Sequence, residues 1–121
     1  MHIFYSFDNG ILKYVVIGQY DFEEVYPIIN ESLKDPHFLP GTNFLIDVTQ
    51  SISNRSTEDA YGFIDFLGSR DEFKGSKIAV VTPRPTSYGL ARIVSVYLEE
   101  LAISLEVFRD LADAEQWLKN K

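Results

Sequence analysis

The sequence predicts an α/β domain in which an N-terminal antiparallel hairpin continues into a mainly parallel sheet flanked by helices. Two observations predict this class: a strand–turn–strand pattern opens the chain, and strand-like and helix-like segments alternate after it. No composition shift divides the chain, and its 121 residues have the usual size of one domain. We therefore expect residues 1–121 to form a single domain with the order ββαβαβαβα.

The first half of the chain begins with the hairpin. Residues 2–7 alternate between apolar and polar side chains, and residues 11–20 are rich in β-branched and aromatic types. Asn9-Gly10 separates them, and both residues tolerate the positive φ angles of a tight type I′ turn. Asp21 then opens a helix that extends to Leu33, where apolar residues recur at helical spacing.

The rest of the chain alternates strictly. Each helix is preceded by a residue that can cap it, and each strand is a short apolar run. The predicted elements are a strand over 43–48, a helix from Ser56 to Leu67, a strand over 77–81, a helix from Ser87 to about Ile103, a strand over 105–108 and a helix over 110–118.

Composition excludes several classes of function. The formal net charge of −7 repels nucleic-acid phosphates, so nucleic acid is not an expected partner. Cysteine is absent, no phosphate-binding glycine loop or metal-ligand spacing occurs, and we expect no cofactor or metal. The apolar runs are too short for a transmembrane segment, and residues 1–9 lack the features of a signal peptide. These observations predict a cytoplasmic protein.

Several short segments carry a resemblance to a known family. They are Asp35-Pro36-His37-Phe38, Phe44-Leu45-Ile46-Asp47, residues 77–81, Tyr88-Gly89-Leu90-Ala91-Arg92, Val107-Phe108-Arg109-Asp110 and residues 114–118. With the element order, they make the chain similar to SpoIIAA-like proteins, relatives of the STAS fold. The resemblance implies a non-catalytic regulatory or protein-interaction module like the anti-sigma-factor antagonists. The alternative that it implies is a CRAL-TRIO-like protein that binds a small apolar or lipid-like ligand, in a membrane-peripheral role.

The antagonists carry a phosphorylated serine in an Asp-Ser-Ser-Gly-like stretch after the central strand. Residues 47–56 here read Asp-Val-Thr-Gln-Ser-Ile-Ser-Asn-Arg-Ser and contain no Ser-Gly pair. The phosphorylation site is therefore not transferred to any residue of this chain.

Polar residues gather where two strands of the predicted sheet end, which is the edge where open α/β sheets bind ligands. Arginines beside helix N-termini could hold an anion or a partner there, whereas helix capping and surface charge explain the same residues without a ligand. The candidate residues are Thr49, Ser51, Ser53, Asn54, Arg55, Arg84, Ser87 and Arg92.

The third helix is apolar over more of its circumference than one core-facing stripe requires, because its polar stripe consists only of Arg92, Ser95 and Glu99. The excess could form a homodimer interface, a groove for a partner protein or a lid over an apolar pocket, and simple burial is the other explanation. The candidate interface or ligand residues are Tyr61, Tyr88, Val96 and Tyr97.

Catalytic residues are scarce. His2 lies at the start of the first strand and His37 lies in a loop, and neither has a carboxylate or serine partner that the sequence makes visible. Asp47, near the end of the third strand, is expected to bond the backbone of the following turn. We therefore predict that the protein is not an enzyme.

Overall fold

The structure is a computed structural model of the chain. It describes the backbone of residues 2–19, 22–52, 57–82 and 85–120, and the side chains of residues 2–19, 23–51, 61–82 and 92–120.

The described elements confirm the predicted order ββαβαβαβα. The strands are β1 (His2–Asp8), β2 (Ile11–Gln19), β3 (Asn43–Ile52), β4 (Lys77–Val81) and β5 (Ser104–Phe108). The helices are α1 (Phe22–Leu33), α2 (Thr57–Gly68), α3 (Pro85–Glu99) and α4 (Leu111–Lys119), with a 3-10 turn at Asp71–Phe73 between α2 and β4.

The five strands form one sheet in the order β1-β2-β3-β4-β5. The pair β1 and β2 is antiparallel, and each later strand is parallel to its neighbour. Asn9 and Gly10 turn the hairpin with φ angles of 51° and 78°, as the tight turn requires. The predicted mixed sheet is therefore confirmed.

The two faces of the sheet are covered unequally. Helices α1, α2 and α3 contribute to one large buried cluster with the inward side chains of β2 to β5, such as Tyr14 and Phe44. Helix α4 packs on the opposite face, where Leu118 joins Leu45 and Val81 in a smaller cluster. The larger hydrophobic cluster thus lies on the side of α2 and α3, and the outer faces of these two helices point away from the sheet.

Strand β3 is longer than the sequence predicts, because it continues past Val48 to Ile52. Its second half pairs with the end of β2, and one extra residue in β3 shifts the register between Val15 and Ile17. Thr49, Gln50 and Ser51, which the sequence places in a loop, therefore lie in a strand, because the long neighbouring strand β2 supplies backbone partners there.

Helix α3 also differs from its predicted bounds. It begins at Pro85, which suits the first turn because the N–H groups there have no helical partner, so Ser87 lies inside the helix and does not precede it. It ends at Glu99, where Ala102 adopts a left-handed φ of 61°. Ile103 then donates its N–H to the Leu98 carbonyl, and Ala102 donates to Glu99, which closes the helix as a Schellman motif.

Candidate interaction surface

Among the described side chains of α2 and α3, four large apolar ones are exposed. Tyr61 on α2 is 44% exposed, and on α3 the exposed fractions are 37% for Ile93, 64% for Val96 and 46% for Tyr97. We call these four residues the α2/α3 surface. Single exposed apolar residues are common on proteins, whereas neighbouring ones are typical of surfaces that bind a partner.

The helical repeat explains why the α2/α3 surface exists. Val94 and Leu98 face the core and are 5% and 0% exposed, and since they are four positions apart they define the inward side of α3. Ile93 and Tyr97 form a second row with the same spacing, and Val96 lies beside it about a quarter of a turn further from the core. Because α3 carries apolar residues on both its inward and outward sides, one side remains uncovered in the single chain.

The two tyrosines of this surface touch each other across the helix pair. The ring centroids of Tyr61 and Tyr97 are 5.6 Å apart at an angle of 74°, an edge-to-face contact. The neighbouring Tyr61 hydroxyl raises the pKa of the Tyr97 phenol, and the Glu100 carboxylate acts in the same direction. The Tyr97 phenol therefore stays neutral at physiological pH.

Charged side chains flank the surface along α3. Arg92 lies one turn before Val96, and Glu99 and Glu100 lie at the end of the helix; all three are exposed. The ion pairs found among the described side chains are His37 with Asp35 and Lys74 with Asp71, so they leave Arg92 and the two glutamates uncommitted within that part of the chain.

The carboxyl edge of the sheet is only partly described. Ser53, Asn54, Arg55 and Arg84 lie outside the described residues, and so do the side chains of Ser87 and Tyr88. Ser51 is wrongly predicted as a loop residue: it lies in β3, is 2% exposed and donates its hydroxyl to the Val48 carbonyl. Its buried hydroxyl already has an acceptor, so it is not available to an anion.

Thr49 and Asp47 form a local turn within β3. The Asp47 carboxylate accepts hydrogen bonds from the Thr49 N–H at 3.0 Å and from its hydroxyl at 2.7 Å. This is the backbone-bonding role expected of Asp47, at the point where the register shifts. Thr49 remains exposed but serves the turn, and Arg92 is placed on α3 beside the α2/α3 surface.

His37 has a partner that the sequence analysis missed. Its Nδ1 lies 2.8 Å from Asp35 Oδ1, which also accepts the His37 backbone N–H, and Tyr5 donates its hydroxyl to Asp35 Oδ2 at 3.1 Å. These hydrogen bonds, led by the one from the His37 backbone, hold the pKa of Asp35 below its usual value. An aspartate two residues before a histidine with proline between them is the signal for such a turn.

The same turn borders an open cleft of about 300 Å³ between the hairpin and the loop before β3. Phe7, His37 and Leu39 supply its larger side chains. His37 is 78% exposed, and its Nδ1 is used by Asp35, so the ring serves chiefly to tie the loop together. The cleft is separate from the α2/α3 surface, because none of its lining residues lies on α2 or α3.

The described residues contain neither a metal-binding group of side chains nor a helix that could span a membrane. Among the described side chains, no group of three or more His, Asp or Glu is arranged to hold a metal ion. In the same part of the chain, none of the helices combines the length and the apolar character that crossing a membrane requires.

A solved structure has a similar fold. A crystal structure from Shewanella loihica PV-4, of an uncharacterized protein from the DUF3478 family with a SpoIIAA-like fold, superimposes with a TM-score of 0.62. The match covers 97% of this chain and 92% of that one, at 21% sequence identity. This chain has the SpoIIAA-like fold.

The SpoIIAA-like fold agrees with the resemblance found in the sequence, and at this identity the likeness concerns the fold alone. No family model matches the sequence, and no curated protein matches it.

Proposed function

We propose that this SpoIIAA-like domain is a non-catalytic protein-interaction module that binds a protein partner through the α2/α3 surface. One observation carries the proposal: Tyr61, Ile93, Val96 and Tyr97 are exposed together on two adjacent helices. Aromatic residues and apolar side chains that cluster in the centre of a patch are typical of binding hot spots.

The contact between Tyr61 and Tyr97 supports the same conclusion. Because each ring limits the rotation of the other, a partner that covers the two rings loses less side-chain entropy than it would on two separate ones. The rings also present polar hydroxyls beside apolar edges, which suits a contact that is apolar in the middle and hydrogen-bonded at its rim. A regulatory role of the kind that the resemblance implies would be exerted through such a contact.

The apolar-ligand alternative finds less support in the described part of the two helices. Leu67 on α2 and Leu98 on α3 are 1% and 0% exposed and belong to the continuous core. A Cβ atom added to Gly68 would lie only 2.8 Å from Leu101 Cδ1, so the end of α2 packs tightly against the turn that follows α3 and leaves no room for a ligand there. The outer surface of the pair is therefore the stronger candidate.

Quantitative affinity capture tests the proposal. The wild-type chain, V96E and K119E are immobilised at equal density, and the proteins that each retains from a lysate are compared by mass spectrometry. Val96 is the most exposed residue of the surface, and Lys119 is an exposed residue on α4 across the sheet. We expect V96E to retain at least about tenfold less of a specific protein than wild type and K119E retain, because a carboxylate in an apolar contact must be desolvated without a partner.

Binding is then measured directly. The captured protein is purified and titrated into the isotope-labelled chain, and we expect amide shifts confined to α2 and α3. Shifts confined to the hairpin cleft, or equal capture by V96E and wild type, would show that the α2/α3 surface is not the binding site.

A further inference from the structure

One outer row, formed by α3 and the first residue after it, combines both charges with the most exposed apolar residue of the α2/α3 surface. Arg92, Val96 and Glu100 follow one another at intervals of four residues, so the row runs along the helix axis with a spacing of about 6 Å. All three side chains are exposed. The positive and negative groups are about 12 Å apart, too far to pair with each other across Val96.

This row is complementary to itself when it is reversed. If a second α3 lies antiparallel on the first, with a two-fold axis at Val96, then Arg92 of one copy faces Glu100 of the other. The same pair forms twice, and the two Val96 side chains meet on the axis. A parallel arrangement would instead place arginine against arginine and glutamate against glutamate, which electrostatics opposes.

The neighbouring row completes the contact. Ile93 and Tyr97 lie beside Val96 on the side toward α2, where Tyr97 touches Tyr61. In the antiparallel arrangement these side chains would surround the Val96 of the second copy and shield it from water. The contact would then have an apolar centre with charged pairs at both ends, the usual anatomy of a protein interface.

We infer that the occupant of the α2/α3 surface is a second copy of this chain, bound through antiparallel α3 helices about a two-fold axis at Val96. This inference rests on the proposed function, because it names the partner of the same surface. The net charge of −7 on each chain opposes self-association, so the two Arg92–Glu100 contacts select the one arrangement in which opposite charges meet.

The expected affinity is modest. A stable interface buries about 800 Å² on each partner, whereas the α2/α3 surface consists of four partly exposed side chains. We therefore expect a dimer with a Kd on the order of 10 µM, which requires measurement up to about 200 µM.

Charge reversal and restoration test the inference by sedimentation equilibrium. R92E and E100R each turn two attractive contacts into two repulsive ones, so each should raise the Kd about 10- to 30-fold. The double variant R92E/E100R reverses the row and keeps it complementary, so its Kd should return to within about threefold of wild type. K119E is the matched control, because it reverses a charge on α4 and should leave the Kd unchanged.

A mixture of the two single variants adds an independent check. R92E carries two negative charges in the row and E100R carries two positive ones, so an equimolar mixture should form heterodimers more tightly than either variant forms homodimers. Far-UV circular dichroism and the urea midpoint show that each variant is folded, so a change in Kd does not reflect unfolding.

Several outcomes would overturn the inference. A wild-type chain that is monomeric at 200 µM would do so, and so would a double variant that dimerises no better than the single ones. If the monomeric chain still captures a protein that V96E loses, then the surface binds a different partner and only the inference fails. If V96E changes neither self-association nor capture, the proposed function fails with it. A non-covalent small molecule on the wild-type chain in native mass spectrometry, lost in V96E, would also overturn the inference.

Discussion

Replacing Tyr14 and Ser32, singly and together, tests whether a buried hydrogen-bonded pair ties α1 to the sheet. The two hydroxyl oxygens are 2.5 Å apart, and the residues are 2% and 0% exposed. Ser32 donates its single proton to the Ile29 carbonyl at 2.6 Å, so Tyr14 must be the donor to Ser32. Burial raises the pKa of the Tyr14 phenol far above its ordinary value, which keeps this donor protonated.

The expected loss in the free energy of unfolding depends on which hydroxyl each change leaves without a partner. Tyr14→Phe removes the donor while Ser32 keeps its bond to the backbone, so we expect the free energy of unfolding to fall by about 1.5 kcal/mol. Ser32→Ala leaves the Tyr14 hydroxyl buried without an acceptor, a cost of about 2.5 kcal/mol, of which better helix propensity returns about 0.5 kcal/mol. The double change leaves no orphaned hydroxyl, and we expect it to cost only about 2 kcal/mol.

Urea unfolding followed by circular dichroism measures these differences. At about 0.1 µM protein, far below the expected Kd of dimerisation, nearly every chain is single, so the free energy of unfolding belongs to the single chain. The sum of the single losses is about 3.5 kcal/mol, and the expected double loss is about 1.5 kcal/mol smaller. Additivity within about 0.5 kcal/mol would refute the reasoning, because it would show that the two hydroxyls do not interact in solution.

Three further predictions concern the backbone and one carboxylate. Gly62→Ala should raise the free energy of unfolding by about 0.5–1 kcal/mol, since its new Cβ meets only a tyrosine hydroxyl at 3.7 Å. Gly68→Ala should gain less, because its new Cβ would lie 2.8 Å from Leu101 Cδ1 and that side chain must move; equal urea midpoints would contradict this. Ala102→Gly should stabilise by about 0.5–1 kcal/mol, because glycine adopts the left-handed conformation without strain, and a lower melting temperature would contradict it. The depressed pKa of Asp35 means that its stabilisation is present above about pH 4 and is lost as the pH falls through its lower folded value. Asp35→Asn should therefore lower the urea midpoint at pH 7, and the difference from wild type should disappear in acid.

Much of the fold could be predicted because local chemistry dictates it. Asn9-Gly10 forces a tight turn, and the alternation of strands with helices leaves the parallel sheet as the natural arrangement. The end of β3 could not be predicted in this way, because the strand continues through polar residues only where β2 provides a neighbour for Gln50 to Ile52. The pairing of distant strands decides such a boundary, and local composition does not contain it.

The candidate site could likewise be predicted only in part. The excess of apolar residues on α3 is visible in the sequence, and Val96 and Tyr97 are exposed on the described surface. Which apolar residues face outward depends on how α3 is rotated against the sheet, so Ile93 was not singled out. The order Asp35-Pro36-His37 signals a turn in which Asp35 bonds the backbone two positions ahead, but only the folded loop brings the His37 ring onto the same carboxylate.

The strands lie in the sheet in the same sequence in which they occur along the chain. In this order none of the five strands is inserted between two earlier ones. When a new strand leaves the ribosome, the strand that it pairs with is therefore already in place at an open edge of the sheet. The sheet can therefore grow in one direction during synthesis, without rearranging earlier pairs. Every intermediate of that growth has a single advancing edge, and β5 is the strand that finally occupies it.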